Sequence, residues 1–241
     1  MTENARSRTR ARLEERERVI LDAATKLFAS AGFHATSTRK IAAAAGVSEG
    51  TVFHYFGSKN ELMLGILDRF YNEVLNPRAA DILDTIMDTH TRIRELAKHH
   101  TRALARDNAL MMRLLQVYVG VDFEYLGQNA ESPLRALNRH YVQHLDRMLR
   151  EGMERDELRS DLSIRPVRDL FFGTLEYGLR THVSALGTEG MDDYVDALID
   201  PIWRGMARPS HASSSPDELI ERLEQVCQQL ESSAKRLDAG Q

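Results

Sequence analysis

Residues 36–59, Thr-Ser-Thr-Arg-Lys-Ile-Ala-Ala-Ala-Ala-Gly-Val-Ser-Glu-Gly-Thr-Val-Phe-His-Tyr-Phe-Gly-Ser-Lys, leave the backbone few choices. Ile41, Ala42, Ala45, Val47, Val52 and Tyr55 recur at a spacing that gives two short helices one shared inward face. Ala42 is small where those helices must cross. Gly46 falls between them, where a left-handed backbone costs little only without a Cβ. Ser48 opens the second helix, its hydroxyl able to accept an orphan backbone N–H. The pattern predicts helices over about 37–44 and 48–55 joined by a tight turn. That is a helix-turn-helix, and its second helix is shaped for a DNA major groove.

A DNA reader needs positive charge, and the overall balance of −4 across 241 residues does not supply it. The first sixty residues do, with ten Lys/Arg against six Asp/Glu, which leaves −8 for the remainder. A positive head on an acidic body orients a chain toward phosphate. Hydrophobic residues, at 42%, suffice for a core, and no apolar run approaches the ~18 residues a membrane span requires. The first eighteen residues hold six arginines and lack the apolar stretch of a secretory signal. One cysteine, Cys227, excludes an internal disulfide and fits a reducing compartment. These features predict a cytoplasmic protein.

The apolar pattern is helical from end to end and predicts an all-α chain. An N-terminal three-helix helix-turn-helix DNA-binding domain is followed by a helical ligand-binding and dimerisation domain, plus an accessory C-terminal helix. Residues 1–12 lack apolar periodicity and read as a flexible basic arm. Residues 13–57 form the DNA-binding domain, whose first helix starts near Leu13 and ends at Gly32. A capping box over 58–61 opens the helical body, residues 58–208. Its first helix carries Leu62, Ile66, Phe70 and Val74 on one face and stops near Pro77. A single helical turn over 79–87 follows, then helices over about 89–107, 109–120, 133–156, 166–186 and 192–207, with an irregular stretch over 120–131. Residues 209–216, rich in serine, read as a linker. Leu219, Leu223, Val226, Leu230 and Leu237 then make a short heptad stripe on an accessory helix over 217–238.

Placement on these helices selects the DNA candidates. Thr51 and His54 lie on the solvent side of the second helix, in reach of base edges, and Glu49 near its start can accept from a cytosine amino group. Gly50 lets the helix approach the backbone closely. Ser37, Thr38, Ser48, Tyr55 and Lys59 are donors at helix ends, suited to phosphates, and Arg39 stands on the outer face of the first helix. Phe53 reads as core packing. No nucleophile–base pair or phosphate loop is visible, so the chain reads as a non-enzyme without a cofactor. His140 and His144 have the i, i+4 spacing of metal ligands, but no further ligand accompanies them and no metal is expected.

The run Ile-Ala-x-x-Ala-Gly-Val-Ser-x-Gly-Thr-Val-Phe-x-Tyr-Phe-x-Ser-Lys-x-x-Leu resembles the N-terminal signature of the TetR/AcrR family of transcriptional repressors. The likeness covers about residues 15–66; beyond them only length and helical pattern agree. It implies phosphate contacts by Tyr55 and Lys59, and a hydroxyl missing at Phe53, where the family often carries a second aromatic alcohol. It also implies a homodimer held by a four-helix bundle of the last two domain helices, with a small-molecule pocket in each body. Thr174, Gly178, His182 and Ala185 on one of those helices, and Leu198 and Ile202 on the other, are the interface candidates. Pocket candidates are His100, Tyr118, Tyr141, His144, Phe172, Glu176 and Tyr177, polar or aromatic groups on inward faces. The implied function is a repressor that binds a palindromic operator in double-stranded DNA as a dimer and is released by a small hydrophobic effector. Residues 151–162 and 171–176 look similar to repressors that respond to fatty acyl compounds. The rival reading is an effector-independent architectural or division-control DNA-binding protein whose body holds a protein partner. A spacious pocket favours the first, a body packed solid the second.

Overall fold

The computed structural model describes residues 3–106 and 133–209, which are helical apart from short connections and one isolated bridge between Leu158 and Ala207. Helix α1 spans Glu3–Ala31, α2 Thr38–Ala44, α3 Glu49–Phe56 and α4 Lys59–Arg69. A π-helical segment, Phe70–Leu75, runs directly into α5, Asn76–Thr85. Then come α6, Thr89–Arg106; α7, Pro133–Glu154; α8, Ile164–Leu186; and α9, Met191–Met206. The expected helix over 109–120, the stretch over 120–131, Tyr118, Cys227, the linker beyond Pro209 and the accessory helix over 217–238 all lie outside the described residues.

Two expectations about the chain path are corrected. Residues 3–12 are helix rather than a flexible arm, so α1 begins well before Leu13. Ser7, Arg8, Arg10, Ala11 and Arg12 are all exposed, which fits the missing apolar repeat. Arginine, alanine and glutamate favour helix without a core, and Arg10 Nε donates to Glu14 at 2.8 Å across one turn.

The second correction is at the join of α4 and α5. Met63, Leu67, Tyr71, Leu75, Ala79 and Leu83 are buried at a constant spacing of four. In a straight α-helix of 3.6 residues per turn, that repeat walks around the axis. The wider turns of the π segment slow the drift and keep the line on the core. Pro77 follows at the start of α5, a position its ring and missing donor tolerate. The helical path therefore passes through Pro77, and Val74, expected inward, is 40% exposed.

One apolar core runs from Ile20, Phe28, Ile41 and Val52 through Leu62 and Leu67 to Leu96, Tyr141, Leu175 and Ile199. Helix α4 carries it from head to body, so residue 57 marks no gap in the packing. Arg69 Nη1 donates to Asp22 Oδ1 at 2.7 Å, tying the end of α4 to α1. Buried Arg92 donates to the Leu83 carbonyl at 2.7 Å, to the Ile86 carbonyl and to Glu151 at 2.6 Å, clamping the α5–α6 connection to α7. Arg94 and Lys98 hold Asp196 of α9 at 2.8 and 2.9 Å, and those hydrogen bonds keep its carboxyl down at about 2.

Part of the expected dimer interface also packs within the chain, where α8 meets α9. Gly178 faces α9 of its own chain: a Cβ added there would meet Leu198 Cδ1 at 2.6 Å and Tyr194 Cε1 at 3.2 Å. One turn on, the His182 ring lies 4.6 Å from Tyr194, with Nε2 2.7 Å from the Glu189 carbonyl oxygen. Ile202 is buried in the same core. Gly178, His182 and Ile202 are thus buried within the chain, and Leu198 is half-buried there. A small-residue stripe says that a helix approaches closely and not whose helix it is. Thr174 is half-buried and Ala185 exposed. The open face of the pair carries Leu170, Gly173 and Tyr177 of α8 with Ala197, Pro201 and Gly205 of α9.

Candidate nucleic-acid interface and effector cluster

Three serines fix the geometry of the head. Ser37 accepts from the Lys40 N–H at 3.2 Å, Ser48 from Thr51 at 3.0 Å and Ser58 from Glu61 at 3.1 Å. Each sits in extended backbone before α2, α3 or α4 and satisfies one orphan donor of the following helix. Gly46 turns the chain between α2 and α3 with φ +65°. Val52 and Phe56, four apart, take the inward line of α3, and Tyr55 packs half-buried beside them. Phe53 falls one residue off that line and is 47% exposed, so the expectation of core packing is corrected.

The opposite face of α3 presents Glu49, Gly50 and His54 to solvent, with Thr51 half-exposed. A Cβ on Gly50 would meet only Ser48 Oγ, at 3.8 Å, so that side is open to close approach. Thr38 Oγ1 donates to Glu49 Oε1 at 2.6 Å, bracing α2 against α3 and occupying one carboxylate oxygen. Ser48 and Thr51 hydroxyls lie 2.8 Å apart, and Arg39 is exposed on α2. Lys59 differs from the expected free phosphate donor. Its Nζ donates to the carbonyls of Phe33 at 2.9 Å and Thr36 at 3.1 Å and sits 4.4 Å from the Phe33 ring centroid. Two of its three protons are committed to the α1–α2 connection, which leaves one proton and the charge for phosphate.

In the body, the predicted pocket residues divide. His100 of α6, Tyr141 of α7 and Phe172 of α8 converge, with ring centroids 5.1–5.7 Å apart. His144 lies 6.5 Å from Tyr141, and Tyr71 of the π segment 6.1 Å from it. His100 is 5% exposed and Tyr141 1%. Both ring nitrogens of His100, the Tyr141 hydroxyl and His144 Nε2 have no hydrogen-bond partner among the described residues. Burial pushes the His100 imidazole down to about 3, lowers His144, and raises the Tyr141 phenol well above its ordinary range. Each buried polar group left unpaired costs about 1–3 kcal/mol, so their gathering around one aromatic cluster requires an explanation.

Glu176 stands at the rim, its side chain open to solvent on one side while desolvation by the apolar body behind it raises its carboxyl. Tyr177, the next residue, turns away: it is 63% exposed with the Arg180 guanidinium 5.0 Å from its ring, and is removed from the pocket set. Sequence reasoning missed Tyr71, whose hydroxyl donates to Asn138 Oδ1 at 3.4 Å. The available signal was the strict four-residue repeat, which places a hydroxyl-bearing ring on an otherwise aliphatic line. His140 and His144 rings lie 5.6 Å apart, and no group of three or more potential metal ligands forms among the described residues. No helix among the described residues is long and apolar enough to cross a membrane.

Residues 20–66 match the family model for bacterial regulatory proteins of the tetR family, and residues 71–188 that for the C-terminal region of YsiA-like proteins. The chain is 25% identical over 164 residues to the fatty acid metabolism regulator protein of Bacillus subtilis, covering 68% of this chain and 81% of that one. It is 28% identical over 166 residues to the HTH-type transcriptional repressor KstR2 of Mycobacterium tuberculosis, covering 67% and 80%. Among solved structures, FadR from Bacillus subtilis in complex with stearoyl-CoA aligns with TM-score 0.64 at 23% identity, over 78% of this chain and 97% of that one. At that identity the likeness concerns the fold.

Proposed function

The chain belongs to the TetR family of transcriptional regulators, and from that premise we propose a repressor that binds a palindromic operator as a homodimer and is released by a small hydrophobic effector. The observation that carries the effector reading is the buried cluster of His100, Tyr141 and His144. Its four polar atoms without partners among the described residues sit among aromatic walls. An apolar ligand with a few polar atoms gives those groups partners and turns a cost into binding energy. A fatty acyl compound is the effector class we favour. A relative regulates fatty acid metabolism, and a structural neighbour binds stearoyl-CoA.

On the DNA side, α3 lies in the major groove. Thr51, His54 and the other carboxylate oxygen of Glu49 face base edges, and Ser37, Tyr55 and Lys59 lie at the phosphates. The partner joins through the open α8–α9 face of Leu170, Gly173 and Tyr177 with Ala197, Pro201 and Gly205, which sets the two recognition helices about 34 Å apart. The effector favours a body conformation with a different spacing, and its differential affinity for the two states sets the size of the switch. The protein works in the cytoplasm, without cofactor or catalysis. Selection of random duplexes by the full chain tests the DNA half: it should enrich an inverted repeat with half-sites one turn apart. Enrichment of no sequence would overturn it.

A further inference from the structure

The helical stretch that replaces the expected arm has a register of its own. Arg8, Arg12 and Arg16 recur every four residues on α1, which places them along one side of the helix. All three are exposed, and none has an ion-pair or hydrogen-bond partner among the described residues. Two neighbouring carboxylates are engaged elsewhere. Glu14 accepts from Arg10 at 2.8 Å, and Glu15 accepts from Arg18 at 2.7 and 3.0 Å. A row of three unpaired cations is self-repelling unless something anionic lies against it.

The fold shows where that row stands. Arg12 and Arg16 line a groove with Leu13 and Val19 of α1 on one wall and Ala45, Gly46, Val47 and Tyr55 on the other. The second wall is the turn of the helix-turn-helix and the C-terminal end of its recognition helix. The row therefore edges the element that approaches the duplex, beside a tyrosine at the end of that helix. From Arg8 to Arg16 it extends about 12 Å, the axial rise of three to four base pairs.

We infer that the N-terminal extension of α1 is a second DNA-contacting element, whose Arg8, Arg12 and Arg16 bind the phosphate backbone next to the contacts of α3. The inference rests on the DNA-binding reading above and adds a sequence-independent term to it. Phosphate contacts supply affinity and salt dependence, while discrimination between sequences stays with α3.

The test uses the full chain with Arg8, Arg12 and Arg16 all changed to Gln. Its control is Arg10→Gln with Arg18→Gln, which removes charge from the arginines already paired. Titrations against salt use a duplex selected by the wild-type protein and an unrelated duplex of equal length. The triple variant should bind both duplexes at least about tenfold more weakly at low salt, with the preference between them unchanged. Its slope of log affinity against log salt should shrink by about 0.9 for each phosphate that is no longer neutralised. The control variant should keep most of the slope. A triple variant with wild-type slope and affinity, in a chain that still selects and binds its duplex, overturns the second DNA-contacting element and leaves the α3 reading intact. A wild-type chain that selects no duplex overturns both.

Discussion

Head and body of this molecule treat their polar groups in opposite ways. In the head the serine caps, Thr38, Glu49 and Lys59 are hydrogen-bonded within the chain, and the groups that are not, such as His54 and Arg39, face solvent. In the body, His100 and Tyr141 are as buried as the leucines around them and leave their polar atoms without partners among the described residues. The head settles its polar groups within the chain or turns them outward, where a partner outside can meet them. The body carries a deficit inside it that a ligand can relieve. The contrast explains why one region can be read from local rules while the other needs its neighbours in three dimensions.

The largest effect that bears on this contrast belongs to the body. Gly178→Arg should cost about 3 kcal/mol or more in urea unfolding, because Leu198 and Tyr194 already fill the space beside it. Gly173→Arg, on the open face with nothing within 4 Å, should leave monomer stability within about 0.5 kcal/mol and block dimerisation in sedimentation. A Gly173→Arg variant that still sediments as a dimer would mean that the open face is not the interface. In the head, His54→Ala should weaken binding to the selected duplex by about 1–3 kcal/mol and relax preference at one base position, with the unfolding midpoint unchanged. Unaltered sequence preference would remove His54 from the base readers.

The body should also carry a pH signature of its own. His100 stays neutral in the folded state down to about 3, whereas the unfolded chain takes up that proton near the ordinary histidine value of 6.5. Between those values the unfolded state binds more protons, so stability falls as pH drops through this window. The loss is at most about 1.4 kcal/mol per pH unit, or about 2 kcal/mol by pH 5. Urea titrations of His100→Phe at pH 7 and pH 5 should show that part of the dependence gone; an unchanged dependence would place the acid sensitivity elsewhere. The smallest effect is that of Tyr141→Phe. Deleting a buried hydroxyl that has no partner among the described residues should leave thermal stability unchanged or raise it by up to about 1 kcal/mol. A loss of stability would show that the hydroxyl is already satisfied.

What the sequence made legible follows the same division. The caps at Ser37, Ser48 and Ser58 and the glycine turn are decided within four residues of chain, and they lie where spacing placed them. Lys59 was legible as a cation and not as an anchor, because its carbonyl partners lie 23 and 26 residues away. Gly178 was legible as a close approach, but the approaching helix belongs to its own chain. Val74 and Tyr71 exchanged roles through a π segment that no α-helical template contains. Of the pocket set, His100, Tyr141 and Phe172 meet because α6, α7 and α8 pack together, and Tyr177 leaves it by one position on α8.

If the unpaired cluster in the body governs the DNA-reading head, filling it must loosen the grip on the duplex. The decisive experiment titrates stearoyl-CoA into the complex of the full chain with its selected duplex and follows fluorescence anisotropy. Wild-type protein should release the duplex, whereas Tyr141→Phe and His100→Phe should bind it normally but require at least about tenfold more ligand for release, the equivalent of about 1.4 kcal/mol. No release from the wild type, or release at the same ligand concentration from both variants, would contradict control of the head by this cluster.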